Sequence, residues 1–186
     1  MSATRGFTMV EMMLVLLLLG TLIGMALPAL RPWAQATRGD ALMRQLASLL
    51  ALARTEAAAR GRVVTLCPTR DGQSCGSDWA EGMMLFADRN GDRTLNQDDV
   101  VVRVLLEASP TGTLAWRAFG NRRYLQIDAM GFLRYQSGHF LYCPTSRDPR
   151  LARQLVVSAT GRARLTRDTD GDGIREDSAG QALVCR

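Results

Sequence analysis

Residues 5–30 read RGFTMVEMMLVLLLLGTLIGMALPAL, and the organisation of the remaining chain follows from this stretch. From Phe7 to Leu30 the single ionisable residue is Glu11. The run is long enough to cross a bilayer as a helix, which needs about 20 apolar residues. A carboxylate at the centre of such a helix costs about 2.5–3.5 kcal/mol, so Glu11 must lie near the interface or meet a partner charge. Arg5 precedes the run without a nearby acid, which predicts a cytoplasmic N-terminus and the remaining chain outside.

A small residue, Gly6, stands before the apolar run. In an ordinary secretory signal the small-residue cleavage site follows the apolar core. Arg5-Gly6 followed by Phe7-Thr-Met-Val-Glu11 resembles the prepilin signal of type IV pilins and pseudopilins. The resemblance implies that a prepilin peptidase removes leader 1–6 after Gly6, that the new N-terminus at Phe7 is methylated, and that Glu11 meets the Phe7 amine of a neighbouring subunit. An uncleaved signal anchor is the alternative.

Prolines predict a boundary just after the apolar core. Pro28 and Pro32 each remove a backbone donor and clash with the preceding turn, which predicts an interrupted helix. In the resembled family, a proline at the distance of Pro28 from Phe7 marks where the helix bends or melts. The chain therefore divides into a leader (1–6), a transmembrane helix (7–30), an amphipathic stem helix (31–61) and a β-rich periplasmic domain (62–186). The apolar face of the stem helix comprises Leu42, Leu46, Leu49, Leu50, Ala53 and Ala57.

The pattern changes from helical to β after Gly61, a suitable helix C-cap. Short β-branched and aromatic runs, separated by turns at Asn121, Gly131 and Gly138, predict strands. The predicted strands are Arg62–Cys67, Gly82–Ala87, Val100–Leu106, Thr113–Phe119, Tyr124–Ile127, Phe132–Tyr135, Phe140–Cys143, Gln154–Ser158 and Arg162–Thr166. Many short strands after one long helix predict an α+β fold, with an antiparallel sheet packed on a helical spine.

The 4 cysteines lie in the part of the chain expected outside the cytoplasm, where disulfides form. Two bridges are the default, although the sequence alone allows three pairings. Cys67–Cys75 is preferred because it closes a short polar loop, which leaves Cys143–Cys185 to tie the C-terminal end to the sheet. A zinc site is the rival, but it needs closely spaced cysteine pairs that this sequence does not contain.

Two acidic loops, 88–99 and 168–177, carry oxygen donors at alternate positions, as Ca²⁺ requires. The first loop has its glycine too early for an EF-hand loop, and the second has an alanine where the last ligand belongs. The same residues suit tight Asx and glycine turns, so calcium binding and acidic hairpin turns both stay open. No other cofactor is expected. The candidate ligands are Asp88, Asn90, Asp92, Asp168, Asp170 and Asp172.

An arginine pair lies in the last predicted strand. Arg162 and Arg164 are two residues apart, so a strand places both side chains on one face. Gly161 allows a turn that brings a phosphate close to main-chain N–H groups, and Arg167 extends the patch. The chain has no lysine, and arginine is the better bidentate phosphate ligand. The pattern predicts polyanion binding without base readout, with an ordinary solvated surface as the alternative.

The order and spacing of particular residues extend the resemblance along the chain. The prepilin signal is followed by Cys67-Pro, Cys75, Trp79, Gly82, Phe86-x-Asp88-x-Asn90, Val157-Ser-x-x-Gly-Arg-x-Arg164 and a terminal cysteine. This order resembles the GspH/FimT family and is most similar to FimT-type minor pilins. The resemblance implies a type IV pilin fold and DNA capture in natural transformation, with Gly161, Arg162 and Arg164 contacting the DNA.

Three functional hypotheses follow. The first is a minor type IV pilin, single-pass in the inner membrane with a periplasmic domain, which joins other pilin subunits in a pilus or pseudopilus and binds double-stranded DNA. The second is a purely structural, GspH-like pseudopilin of a type II secretion system. The third is a membrane-anchored calcium-binding domain. An enzyme is not expected, because the chain has one histidine, His139, interpreted as a turn residue, and no nucleophile or nucleotide motif.

Overall fold

The first element is one long helix, α1, which spans Met9–Arg60. In this computed structural model the described residues are 8–109, 111–118, 120, 122–134 and 137–185, without the side chains at 27–29 and 31. The predicted helices 7–30 and 31–61 are therefore a single element that continues through Pro28 and Pro32. A proline removes one hydrogen bond, and the bonds on either side are enough to continue a helix. A bend at Pro28 stays a prediction.

Two compact units divide the chain, Met1–Thr37 and Arg38–Arg186. In the first unit, Met9–Ala26 has a mean hydropathy of 2.2 and none of its side chains is buried, so this segment is by length and composition able to cross a membrane. The helix begins with a reciprocal cap. The Thr8 N–H donates to Glu11 Oε2 and the Glu11 N–H donates to Thr8 Oγ1, both at 3.3 Å. Glu11 thus stabilises the start of its own helix, a role that the sequence analysis missed.

The second unit contains the stem part of α1 and two antiparallel sheets of four strands each. The first sheet has the order β3-β2-β1-β5, and the second has the order β4-β6-β7-β8. The α+β class is confirmed, with two sheets in place of the single predicted one. The strands are β1 (Val63–Pro68), β2 (Gly82–Asp88), β3 (Val100–Leu106), β4 (Gly112–Ala118), β5 (Leu125–Ile127), β6 (Gly138–Pro144), β7 (Arg153–Val157) and β8 (Ala163–Leu165).

One apolar core joins the stem helix to both sheets. All six residues of the predicted helix face are buried, and Met43 adds a seventh. Strands of the first sheet contribute residues such as Leu66 and Leu85, and strands of the second contribute Phe140 and Leu155. The ring of Phe140 packs edge-on against Trp79, with centroids 5.0 Å apart. Burial of this face, more than helix propensity, holds the stem in place.

Two local predictions were wrong. The predicted strand Phe132–Tyr135 is reduced to one bridge between Leu133 and Ile127, and Tyr135 lies outside the described residues. Asp128 explains this, because its carboxylate accepts the N–H groups of Met130 and Phe132 and turns the chain. His139 lies within β6 opposite Arg117, not in a turn. Burial lowers the pKa of His139, and the adjacent Arg117 charge lowers it further.

Both disulfides of the preferred pairing are present. Cys67–Cys75 joins residues 8 positions apart, and Cys143–Cys185 joins residues 42 positions apart. The second bridge ties the C-terminal segment to β6. The segment that carries β7, β8 and the acidic loop 168–177 is therefore closed at both ends.

Candidate nucleic-acid interface

The turn between β7 and β8 positions the predicted arginine pair. Gly161 has φ +72°, and a Cβ at this position would lie 2.4 Å from the carbonyl oxygen of Gly131, so only glycine fits without a shift. The turn closes through hydrogen bonds to Ser158, whose carbonyl oxygen accepts the Gly161 N–H at 2.9 Å and whose hydroxyl accepts the Arg162 N–H at 3.2 Å. These two N–H groups are therefore not available to a phosphate, contrary to the sequence-based expectation.

Arg162, Arg164 and Arg167 are all exposed. Strand β8 pairs with β7 alone and forms an edge of its sheet, with Arg164 opposite Val156. Within the described part of the chain, none of these three side chains has a hydrogen-bond or ion-pair partner. The structure thus places three unpaired guanidinium groups along one edge strand and the residues next to it.

A groove of about 850 Å³ lies between this edge and the stem helix. Arg164 and Arg167 line it, as the sequence analysis grouped them, and Arg162 is not among the lining residues. Two further arginines, Arg44 and Arg175, reach the same groove from distant parts of the sequence. The remaining lining residues are Asp40, Leu165, Thr166 and Asp168. The groove carries four arginines against two aspartates, a positive balance that favours an anionic ligand.

Asp40, one of the residues that line the groove, forms ion pairs with two arginines. Its Oδ1 accepts the Arg153 Nε at 2.7 Å and the Arg175 Nη2 at 2.9 Å. Arg153 is only 5% exposed, so the carboxylate balances a buried charge. Burial lowers the pKa of Arg175, the Arg153 charge lowers it further, and Asp40 opposes both effects. This cluster is structural, and it leaves Arg44, Arg164 and Arg167 as the arginines that face solvent.

The acidic segment after β8 folds on itself. Asp168 accepts the Gly171 N–H at 2.7 Å with one oxygen and the Gly173 N–H at 2.9 Å with the other. Asp170 and Asp172 accept N–H groups further along the same loop. Carboxylate oxygens of these three aspartates and of Glu176 all lie within 4.8 Å of one another. Glu176 was not predicted, and calcium binding at this loop stays a prediction.

The first acidic loop has a different role. Asp88 is fully buried, and its two oxygens accept four protein donors: the Thr65 hydroxyl, the Gln126 amide and the N–H groups of Gly91 and Arg93. These four hydrogen bonds give Asp88 a structural role, and its role as a calcium ligand stays a prediction. Asn90 and Asp92 bond to each other at 2.9 Å. Hydrogen bonds, first from the Thr94 N–H, lower the pKa of Asp92.

The prepilin cleavage residues Gly6 and Phe7 lie outside the described residues, as does the side chain of Pro28. What is described is a membrane-capable N-terminal helix followed by a disulfide-bonded domain of two antiparallel sheets. This architecture defines a pilin-like subunit, in which the N-terminal helix serves for anchoring and assembly.

The comparisons with known proteins agree with this class. The family described as "Type II transport protein GspH" matches residues 42–161, and the "Prokaryotic N-terminal methylation motif" matches residues 1–27. The chain belongs to the GspH family. Proteins of this kind are minor type IV pilins or pseudopilins, which act as subunits in the assembly of a pilus or pseudopilus and are not known as enzymes.

One relative by sequence and two solved structures are similar to this chain. "Pilin-like protein PilA1" of Thermus thermophilus is 40% identical over 89 residues, which are 48% of this chain and 51% of that protein. The chain thus matches about half the length of this relative. The minor pilin FimU of Pseudomonas aeruginosa has a TM-score of 0.54 at 20% identity, covering 73% of this chain and 92% of FimU. The minor pseudopilin EpsH of Vibrio cholerae has a TM-score of 0.50 at 12% identity, covering 69% and 95%. The two solved structures support the fold.

Proposed function

We propose that this chain is a minor pilin whose globular domain binds double-stranded DNA without sequence preference, for uptake in natural transformation. The observation that supports this is the row formed by Arg162, Arg164 and Arg167, exposed and without side-chain partners in the described part of the chain. Four arginines outnumber the two aspartates that line the groove. Of these two aspartates, Asp40 is paired with Arg153 and Arg175, so Asp168 is the one whose charge opposes the arginine row.

Binding of this kind has a quantitative signature. Each phosphate neutralised by an arginine releases condensed counterions, and the logarithm of the affinity then falls with the logarithm of the salt concentration. The slope is about −0.9 per phosphate contact on duplex DNA, so loss of two contacts flattens it by about 1.8. If a variant without these two contacts binds as tightly as the wild type at 1 M salt, this difference in slope makes its affinity roughly 60-fold lower than that of the wild type at 0.1 M salt. Base sequence should have little effect, because contacts to backbone phosphates carry no sequence information.

The test is a salt-dependent DNA titration of the full-length protein in non-ionic detergent, read by fluorescence anisotropy of a labelled duplex. The double variant Arg162→Gln/Arg164→Gln should lose affinity and salt slope by the amounts given above. The matched control Arg38→Gln/Arg62→Gln removes two exposed arginines outside the groove, with the same change in net charge. Unchanged binding in the first variant would contradict the assignment of the site. A wild-type protein that does not bind DNA at low salt would contradict the function.

A second candidate function is that of a structural pseudopilin that binds only other protein subunits. One observation favours it: the family match ends at residue 161, so Arg162, Arg164 and Arg167 lie outside the matched region. This function requires the helix and the core but not the arginine row. It predicts that Arg162→Gln/Arg164→Gln leaves assembly of the filament intact and that the wild type shows no salt-dependent DNA binding.

The N-terminal segment supports a third part of the proposal, which concerns assembly. We propose cleavage after Gly6 by a prepilin peptidase, methylation at Phe7, anchoring in the inner membrane, and pairing of Glu11 with the Phe7 amine of a neighbouring subunit. Mass spectrometry of the mature N-terminus tests the processing. Glu11→Gln keeps an oxygen for the Thr8 N–H but removes the charge, so it should leave the helix cap intact and abolish co-purification with partner subunits. Normal assembly of this variant would refute the charge pairing.

A further inference from the structure

The stem helix forms one wall of the basic groove, and its contribution goes beyond the arginine motif of the proposed function. Asp40 and Arg44 lie on successive turns of α1 and both line the groove. Arg164 and Arg167 line the opposite wall. The two walls are separated by more than a hundred residues of sequence but enclose one space of about 850 Å³.

The charges of the two helix residues are used differently. Asp40 is the natural neighbour of Arg44 on the helix, but its carboxylate is bonded to Arg153 and Arg175. Arg44 is exposed and, within the described part of the chain, has no hydrogen-bond or ion-pair partner. Because Asp40 is paired with Arg153 and Arg175, it does not pair with Arg44. The Arg44 guanidinium group therefore lines the groove without a counter-charge, together with Arg164 and Arg167 from the strand side.

A second arginine of the helix, Arg54, lies next to the turn that precedes β8. Arg54 Cδ and Nε lie 3.1 and 3.2 Å from the position that a Cβ would take at Gly161. The Arg54 Nε is buried and has no partner in the described part of the chain. The helix thus places Arg54 next to the turn before β8, and it places Arg44 in the groove that Arg167 lines after β8. A polyanion lying along β8 is flanked by positive charge from the strand edge and from the helix.

We infer that Arg44 is a phosphate-binding residue of this groove, and that one backbone of the DNA runs between the stem helix and β8, bridged by Arg44 on one side and by Arg164 and Arg167 on the other. This inference rests on the proposed function and identifies a ligand that the Gly161–Arg164 motif does not contain. Arginine suits the position because its planar fork donates two parallel hydrogen bonds to phosphate oxygens. The contacts are to backbone phosphates, so the binding is independent of base sequence.

The experiment compares single variants of the full-length protein in non-ionic detergent, with a labelled duplex and a series of salt concentrations. Arg44→Gln should flatten the salt slope by about 0.9 and weaken binding roughly eightfold at 0.1 M salt. Arg44→Lys keeps the charge and should retain most of the slope. The control is Arg38→Gln, six residues earlier on the same helix, exposed and outside the groove lining. It should bind as the wild type does.

The outcomes separate the inference from the proposed function. If Arg44→Gln binds like the wild type while Arg162→Gln/Arg164→Gln loses binding, the helix contact is refuted and the DNA function stands. If Arg38→Gln weakens binding as much as Arg44→Gln, the effect is one of net charge and the inference is again refuted, as it is if Arg44→Lys behaves like Arg44→Gln. A wild-type protein without salt-dependent DNA binding refutes both. Equal melting temperatures of the single variants confirm that folding is not the cause.

Discussion

The substitution Gly161→Ala should destabilise the protein strongly, because two separate effects combine at this buried turn residue. Alanine at φ +72° occupies the left-handed region, at a cost of about 1–2 kcal/mol. Its Cβ would also lie 2.4 Å from the Gly131 carbonyl oxygen, a backbone atom that cannot rotate away. Forcing the two turns apart costs about 1–3 kcal/mol more, as overpacking does elsewhere. The sum is about 2–5 kcal/mol.

The matched control is Gly180→Ala. Gly180 has φ +79°, and nothing lies within 4 Å of a Cβ built there, so this variant carries the backbone term without the collision. Chemical denaturation of the oxidised protein, followed by fluorescence of the buried Trp79, gives both free energies of unfolding. Gly161→Ala should lower the free energy of unfolding by about 1–3 kcal/mol more than Gly180→Ala does. For a chain of this size, this difference corresponds to roughly 2–12 °C in melting temperature.

Equal destabilisation by Gly161→Ala and Gly180→Ala would refute the reasoning, since it would mean that the turn before β8 does not approach Gly131 closely. Gly161 would then be required for its backbone conformation alone. DNA binding provides an independent readout, because a displaced turn moves Arg162 and should lower affinity even at a temperature where Gly161→Ala is folded. Gly180→Ala should leave that affinity unchanged.

Two further predictions concern stability. Replacing Cys143 and Cys185 by serines should lower the free energy of unfolding by about 4 kcal/mol, and replacing Cys67 and Cys75 should lower it by about 2.5 kcal/mol. The first loss is larger because opening the longer loop gives the unfolded chain more entropy. Denaturation curves that reverse this order would contradict the loop argument. Asp88→Ala should cost more than about 3 kcal/mol, because it leaves buried donors unpaired. Asp88→Asn should cost less, and an alanine variant within about 1 kcal/mol of the wild type in urea denaturation would show that these bonds contribute little.

The two functional hypotheses depend on different parts of the molecule. The proposed DNA binding requires Arg162, Arg164 and Arg167, which follow the matched family region. Assembly depends on α1 and the core, which lie mostly within the matched regions. The two activities are therefore separable by mutation, and variants of the arginine row should leave the subunit competent to join a filament.

Local patterns in the sequence were sufficient for much of the fold. A long uncharged run, a helical spacing of leucines and a series of short β-branched segments each report burial over a few residues, so they predicted α1, its buried face and eight of the nine proposed strands in outline. The exception, Phe132–Tyr135, failed because the Asp128 side chain turns the chain locally. The sequence also grouped Gly161, Arg162 and Arg164, because the motif is contiguous.

Contacts between distant residues were decided by the tertiary structure. Asp40 meets Arg153 and Arg175, which are 113 and 135 positions away. Buried Asp88 accepts hydrogen bonds from Thr65 in β1 and Gln126 in β5, which are 23 and 38 positions away. Arg44 reaches the groove because the core seats the stem helix against the sheets. Periodicity reports which face of an element is buried but not which element covers it. The membrane-capable helix and the arginine motif follow from sequence alone, whereas the groove that gives the motif its second wall exists only in the folded domain.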